Sequence, residues 1–208
     1  METIQSIPGD KPAVRSGGDK RELILDAALE LFRAHGFRRT SMEDIAEAAE
    51  IAKGTLYLYF RSKEELFTAL SQKLGARVLD AMDQAKIATA NADLEERLVA
   101  LFNAKLGFVH HLLNSSPHAI ELIDSSRRIC EGRLGTLDER FLDDIAELLT
   151  EAAGQGQISA KAAGLSLATA GDVITTAVHG AMSKVSDEAE FYKKIREIVH
   201  LMVRGLRP

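Results

Sequence analysis

The chain has 208 residues, of which 46% are hydrophobic and 27% are charged, and its formal net charge is −5. This balance is typical of a soluble globular protein with an apolar core, and it excludes a polycation that binds nucleic acid over its whole surface. The single cysteine, Cys130, excludes an internal disulfide and a cysteine-rich zinc module. No apolar run reaches the roughly 18 residues of a membrane span and no signal-peptide core is present, so we expect a cytoplasmic protein without a membrane partner.

The N-terminal segment, residues 1–18, is polar and rich in Gly, Pro and Ser, which predicts a flexible tail. The first helix is predicted to begin at Asp19, because Asp19 and Glu22 have the spacing of a capping box. Apolar residues follow at helical periodicity up to Gly36, which ends the helix.

Two short helices are predicted next, and a long helix follows them. Thr40 or Ser41 caps the second helix, and the third spans about residues 53–60. Ser62 opens a long fourth helix with an apolar stripe that reaches Met82.

The rest of the chain carries only helical patterns. They lie at residues 94–112, 119–129, 137–149, 162–184 and 191–202. Because no stretch alternates apolar and polar residues, the sequence predicts an all-α protein of about nine helices.

The second and third helices have the arrangement of a helix-turn-helix. A recognition helix places its first residues against base edges, and here these are Lys53, Gly54 and Thr55. Leu56 and Phe60, four residues apart, are predicted to face the domain core.

From Leu23 to Phe67 the sequence resembles the TetR family of transcriptional regulators. The segments that carry the resemblance are Phe32-Arg33-Ala34-His35-Gly36-Phe37, Thr40-Ser41-Met42-Glu43-Asp44-Ile45-Ala46, Lys53-Gly54-Thr55-Leu56-Tyr57-Leu58-Tyr59-Phe60 and Ser62-Lys63-Glu64-Glu65-Leu66-Phe67. The resemblance implies an N-terminal three-helix helix-turn-helix domain at residues 19–66 and a C-terminal helical ligand-binding and dimerisation domain at residues 67–208. It also implies a homodimer that represses transcription at a palindromic operator and is released by a small apolar or amphipathic effector.

Carried onto this sequence, the family pattern implies roles for eight residues. Thr40 and Ser41 would contact phosphate, Lys53, Gly54, Thr55 and Tyr57 would lie in or beside the major groove, and Tyr59 and Lys63 would hold the DNA backbone. Phosphate contacts set the register of a protein on DNA, whereas groove contacts read the sequence.

The chain departs from the family pattern at three positions of this motif. Glu50 replaces the usual Gly of the turn, and a residue other than Gly at positive φ costs about 1–2 kcal/mol. Ala52 replaces a Ser, and a lost hydroxyl cap costs about 1 kcal/mol. Leu58 stands where an aromatic or polar residue is common, and it offers a contact to a thymine methyl group.

Two larger sets of residues are predicted in the C-terminal part. The first would line an effector pocket, although a plain apolar core explains each member equally well, and it comprises Met82, Phe102, Phe108, His111, Phe141 and Ile145. The second would form an intersubunit four-helix bundle, although a monomer could bury the same apolar faces within one chain, and it comprises Ala170, Ile174, Ala177, Ala181, Phe191, Ile195, Ile198 and Met202.

Two other function classes are weaker interpretations of this sequence. No Ser-His-Asp set, phosphate-binding loop or zinc motif supports an enzyme, and a helical adaptor that binds only protein would not account for the ordered block from residue 23 to 67. His110 and His111 are adjacent and point about 100° apart on a helix, so surface or pocket-lining roles are favoured over a shared metal. We therefore predict no metal, no cofactor and no catalytic residue.

Overall fold

The computed structural model describes residues 20–107, 110, 116–130, 135–161, 163–182, 185 and 187–208. Within these residues the chain forms nine α-helices and one π-helical turn. Their bounds are α1 Lys20–His35, α2 Met42–Ala48, α3 Lys53–Tyr59, α4 Lys63–Ala88, α5 Leu94–Phe102, the π-helical turn Asn103–Gly107, α6 Ala119–Ile129, α7 Gly135–Gly154, α8 Leu167–Met182 and α9 Glu188–Gly205. The predicted all-α fold is confirmed, whereas the predicted tail and the capping residue Asp19 lie outside the described residues.

Local side-chain chemistry sets the ends of the N-terminal helices. Ser41 caps α2 by accepting the Asp44 N–H, and the Asp44 carboxylate accepts the Ser41 N–H at 2.8 Å, which completes a capping box. Ser62 caps α4 in the same way by accepting the Glu65 N–H. Gly36 follows α1 at φ +82°, as expected of a glycine that ends a helix.

Two buried apolar clusters divide the described residues, and α4 contributes to both. The N-terminal cluster joins α1, α2 and α3 to the first turns of α4, and at its centre the rings of Phe32, Phe37 and Phe67 lie within 5.6 Å of one another. The C-terminal cluster joins the second half of α4, at Val78 and Met82, to the helices that follow. The predicted boundary after residue 66 therefore falls inside a continuous helix.

Ion pairs fasten the second half of α4 to α7. The Asp144 carboxylate, which is buried, accepts hydrogen bonds from Lys86 Nζ at 2.5 Å and from Arg140 Nε at 3.2 Å. Arg140 also reaches Asp83 on α4 at 2.8 Å. Since a buried carboxylate is costly without partners, these contacts restrict how α4 and α7 slide on each other.

Two predicted helices in the C-terminal part differ from the structure. The pattern over residues 94–112 predicts one α-helix, but the α-helix ends at Phe102 and a π-helical turn continues to Gly107. The helix predicted from residue 162 begins at Leu167, because Gly164 adopts φ +72° and the Ser166 hydroxyl accepts the Thr169 N–H. In the part of the chain that the structure describes, none of the helices is long and apolar enough to cross a membrane.

Candidate nucleic-acid interface

The turn between α2 and α3 is closed by backbone hydrogen bonds. The Ile51 N–H donates to the Ala46 carbonyl and the Glu50 N–H donates to the Glu47 carbonyl, both at 3.0 Å, which is the Schellman arrangement. This arrangement places the residue after the helix C-cap in the left-handed region, and Glu50, which follows the C-cap Ala49, lies there at φ +54°. A residue other than glycine therefore occupies the positive-φ position of this turn. Ala52 stands at the N-cap position before α3 and makes no side-chain cap, because its methyl group cannot accept a hydrogen bond.

Helix α3 presents most of its side chains to solvent. Leu56 and the following Phe60 are buried and hold the helix on the N-terminal cluster. Tyr57, Leu58 and Tyr59 are 41%, 85% and 38% exposed. Leu58 is the most exposed large apolar side chain of the described residues, so α3 offers a mixed apolar and hydroxyl surface outward.

The first turn of α3 is open for close approach. A Cβ atom placed at Gly54 would meet no atom within 4 Å, so a ligand backbone can come close to the helix there. Thr55, next to it, is partly exposed. Gly54, Thr55 and Leu58 lie on one side of the helix, because residues three and four apart share a helical face.

Lys53 forms an ion pair across the motif with Glu43 of α2. The hydrogen bond from Lys53 lowers the pKa of the Glu43 carboxyl, and the same bond raises the pKa of the Lys53 amine. Both side chains are more than half exposed, so water screens the attraction and the pair contributes little to stability. A phosphate group can therefore compete with Glu43 for the Lys53 ammonium at small cost.

Thr40 occupies a place that does not favour the predicted phosphate contact. Thr40 is 2% exposed, and its hydroxyl donates to the Gly36 carbonyl at 2.8 Å. Ser41, which caps α2, is partly exposed and keeps its predicted position at the helix start.

Lys63 is directed at protein backbone. Its ammonium donates to the carbonyls of Phe37 at 2.7 Å, Thr40 at 2.8 Å and Arg38 at 3.5 Å, and it lies 4.5 Å from the centroid of the Phe37 ring. An ammonium has three N–H donors, so these carbonyls use its hydrogen-bonding capacity. This geometry favours a structural role for Lys63 over the predicted DNA-backbone contact.

Helix α6 contacts the same α1–α2 loop from another side, a contact that the sequence reasoning did not predict. The Glu121 carboxylate accepts the Arg38 N–H at 2.8 Å and lies directly against Gly36, where a Cβ atom would collide with it. The Ser116 hydroxyl donates to the Arg33 carbonyl at 2.7 Å. A surface pocket of about 360 Å³ adjoins this junction, between Arg38 and α6. No local pattern signals such contacts, because their partners are 83 residues apart.

The predicted pocket residues that the structure describes are packed as core. Met82, Phe102, Phe141 and Ile145 are at most 1% exposed, and Phe102 and Phe141 pack edge to face at 5.1 Å. Phe108 and His111 lie outside the described residues. The predicted pocket therefore stays a prediction.

The predicted dimer residues divide into two groups. Ala170, Ile174, Phe191 and Ile195 are at most 2% exposed and pack in the core of their own chain. Ala177, Ala181, Ile198 and Met202 are partly exposed. The first group is buried because α9 packs against α8 and α5. A second chain could therefore contact only the outer faces of α8 and α9.

The histidines considered for a metal have separate surroundings. His110 lies 3.9 Å from the Phe191 ring, centroid to centroid, and His118 lies 3.7 Å from Glu121. Cys130 is buried in the N-terminal cluster, where its thiol packs as a small apolar group.

Comparison with known proteins shows which regulators this chain resembles. Residues 24–70 match the family model described as "Bacterial regulatory proteins, tetR family". The chain is 25% identical to the fatty acid metabolism regulator protein of Bacillus subtilis over 143 residues, which cover 65% of this chain and 69% of that protein. It is 38% identical to the transcriptional repressor KstR2 of Mycobacterium tuberculosis over 96 residues, 44% of this chain and 45% of that protein.

Other relatives match over a shorter part. The chain spans 36% of the regulator YhgD and 31% of the regulator YvdT, both of Bacillus subtilis. The fold extends further than the sequence similarity, because a TetR transcription regulator from Haloarcula marismortui superposes with a TM-score of 0.72 over 90% of this chain and 98% of its own, at 18% identity. Residues 24–70 of this chain are therefore similar to the tetR family of bacterial regulatory proteins, and the order of the described helices agrees with the fold of that solved regulator.

Proposed function

We propose that the chain is a transcriptional repressor that binds a palindromic operator as a homodimer and is released by a small apolar or amphipathic effector. The observation that carries the DNA-binding step is the outward surface of α3. Its backbone is open at Gly54, and its side chains at Thr55, Tyr57, Leu58 and Tyr59 combine hydroxyl donors with one exposed apolar group. Such a short, well-supported helix fits the major groove, which admits an α-helix.

Homodimerisation supplies the second half of this function. The outer faces of α8 and α9 carry apolar side chains that the described part of the chain leaves exposed, with Val173 40% and Leu201 69% exposed. We assign the interface to these residues together with Ala177, Ala181, Ile198 and Met202. Two linked recognition helices then read two half-sites about 34–36 Å apart.

The effector step follows from the course of α4. Leu66, Phe67 and Leu70 fix its first half in the N-terminal cluster, and Val78 and Met82 fix its second half in the C-terminal cluster. A change in the helices of the C-terminal cluster (the helical body) that tilts α4 must therefore displace the helix-turn-helix. The descriptions of the fatty acid metabolism regulator and of the repressor KstR2 support a regulator of this class.

The test begins with selection of bound sequences from a random duplex library. We expect a palindrome and a protein dimer in the complex. Leu58→Ala and Tyr57→Ala should weaken binding to the selected duplex, measured by fluorescence anisotropy, while each variant keeps the wild-type melting temperature. Ile87→Ala is the matched control, because Ile87 is 69% exposed on α4, away from α3. A chain that selects no sequence, or that binds equally well with Leu58 and Tyr57 replaced, would disprove the assignment.

A further inference from the structure

A lysine in the helical body is almost completely buried. Lys105 lies on the π-helical turn Asn103–Gly107, and its side chain is 8% exposed. Its ammonium lies 4.1 Å from the centroid of the fully buried Phe141 ring. A buried cation is costly unless an anion accompanies it, so this position requires an anionic partner. π-Helical turns are rare and frequently occur at functional sites.

The anion that Lys105 has in this structure comes from the solvent side. Asp138, in the first turn of α7, contacts the Lys105 ammonium at 2.7 Å, and its side chain is 73% exposed. An exposed carboxylate gains only a small net energy from an ion pair, because leaving water offsets the attraction. Another anion that brings apolar surface with it can therefore replace Asp138 at little cost.

Helix α8 brings polar groups toward the same ring. A Cβ atom at Gly171 would lie 3.5 Å from Ile145 and Leu149 of α7, and two turns later the His179 ring lies 6.4 Å from the Phe141 ring, so α8 runs antiparallel to α7. Thr175 lies midway on this face. It is 7% exposed, and among the described residues its hydroxyl has no hydrogen-bond partner. An unpaired buried hydroxyl is uncommon and points to a ligand group that it would bind.

The positive charge beside His179 comes from Lys105. Partial desolvation lowers the pKa of the His179 imidazole, the charge of Lys105 lowers it further, and Asp138 opposes both. His179 is therefore neutral at neutral pH and offers a hydrogen bond without charge. One ammonium matches one carboxylate, whereas a doubly charged phosphate would leave a negative charge without a partner.

We propose that Lys105 anchors the carboxylate of an amphipathic effector, which takes the place of Asp138 while its apolar part packs against Phe141. His179, whose ring lies 6.4 Å from the Phe141 ring, and Thr175, on the same face of α8, offer hydrogen bonds to the bound molecule. This inference rests on the proposed effector response, and it assigns the effector to the class of apolar monocarboxylic acids. The first turn of α7 then moves away from Lys105. This movement changes the packing of α7, the helix that Asp144 attaches to α4.

The test uses two probes that differ only in charge, decanoate and decanamide, and calorimetry without DNA. We expect saturable binding of decanoate, and binding of decanamide at least tenfold weaker. Lys105→Met should lower the decanoate affinity about tenfold or more, and Lys105→Arg should retain most of it. Asp138→Asn removes the competing carboxylate, so it should raise the affinity about threefold to tenfold. An Asp143→Asn variant is the matched control, because Asp143 is an exposed carboxylate on the same helix.

The opposite effects of the two substitutions distinguish a binding site from a structural ion pair. If Lys105 and Asp138 only stabilise the fold, both variants lower the melting temperature and neither changes probe affinity, which overturns the proposal. Equal binding of decanoate and decanamide, or no decanoate binding even with Asp138→Asn, overturns it as well. Operator selection without probe tests the repressor function separately, so a chain that binds decanoate but selects no DNA would disprove only that function.

Discussion

Replacing Lys63 by methionine separates a structural role from a DNA-contacting role. Methionine keeps an unbranched apolar stem against the Phe37 ring but leaves the carbonyls of Phe37 and Thr40 without the ammonium. A hydrogen bond to a charged group contributes about 1.5–3 kcal/mol, and the substitution removes these two short bonds together with the longer one to the Arg38 carbonyl. Since Lys63 is only partly buried and water can reach part of the loop, we expect a net loss of about 2 kcal/mol.

For a chain of this size, that loss corresponds to a fall of about 4–8 °C in Tm. The measurement is thermal unfolding followed by circular dichroism, and Lys193→Met is the control, because Lys193 is 74% exposed and its replacement should change Tm by less than about 2 °C. DNA binding provides the second readout. The slope of log affinity against log salt should be unchanged at temperatures where the variant is folded. Unchanged Tm together with a slope flatter by about one unit would mean that Lys63 contacts phosphate and that our reasoning is wrong.

Three further experiments test the turn, the dimer and the groove contact. Glu50→Gly should raise the free energy of unfolding by about 0.5–1 kcal/mol in urea titration, because relief of positive φ outweighs the added freedom of glycine in the unfolded chain; a loss would show that Glu50 makes a valuable contact. Leu201→Glu should give a folded monomer by sedimentation, whereas Ile195→Glu should unfold the chain because Ile195 is buried; a stable Leu201→Glu dimer would exclude this face. Replacing one operator thymine per half-site by deoxyuridine should weaken wild-type binding about fourfold per methyl group but leave Leu58→Ala unaffected; equal losses would remove Leu58 from the groove.

The features that the sequence predicted well are those whose causes lie within a few residues. The cap of the second helix, expected at Thr40 or Ser41 and found at Ser41, and the stop at Gly36 each depend on one helix end. Apolar periodicity likewise predicted the order of the helices. The start of α8 was misplaced, because small residues before Leu167 continue the apolar composition while Gly164 breaks the helix.

The features that sequence reasoning missed depend on distant contacts. Lys63 has the position of a phosphate ligand at a helix start, but its partners are carbonyls 23 to 26 residues earlier. Glu121 carries no local sequence signal for its role, because its partner is the Arg38 amide in the distant α1–α2 loop. For the same reason the apolar pattern of α9 did not separate Ile195, which faces its own core, from Leu201, which faces outward. Periodicity identifies an apolar face but not the surface that covers it.

The two missed contacts meet at one loop, and this has a consequence for regulation. The loop from Phe37 to Thr40 is held by Lys63 of α4 and, through the Arg38 amide, by Glu121 of α6. A rigid α4 alone would transmit motion of the body as a tilt about the N-terminal cluster. The second attachment opposes that tilt unless α6 moves with α4, so the helix-turn-helix follows the body only when both helices shift together. Under the proposed function, effector binding and DNA binding would then bias one concerted equilibrium, and each ligand would weaken the other by the same factor.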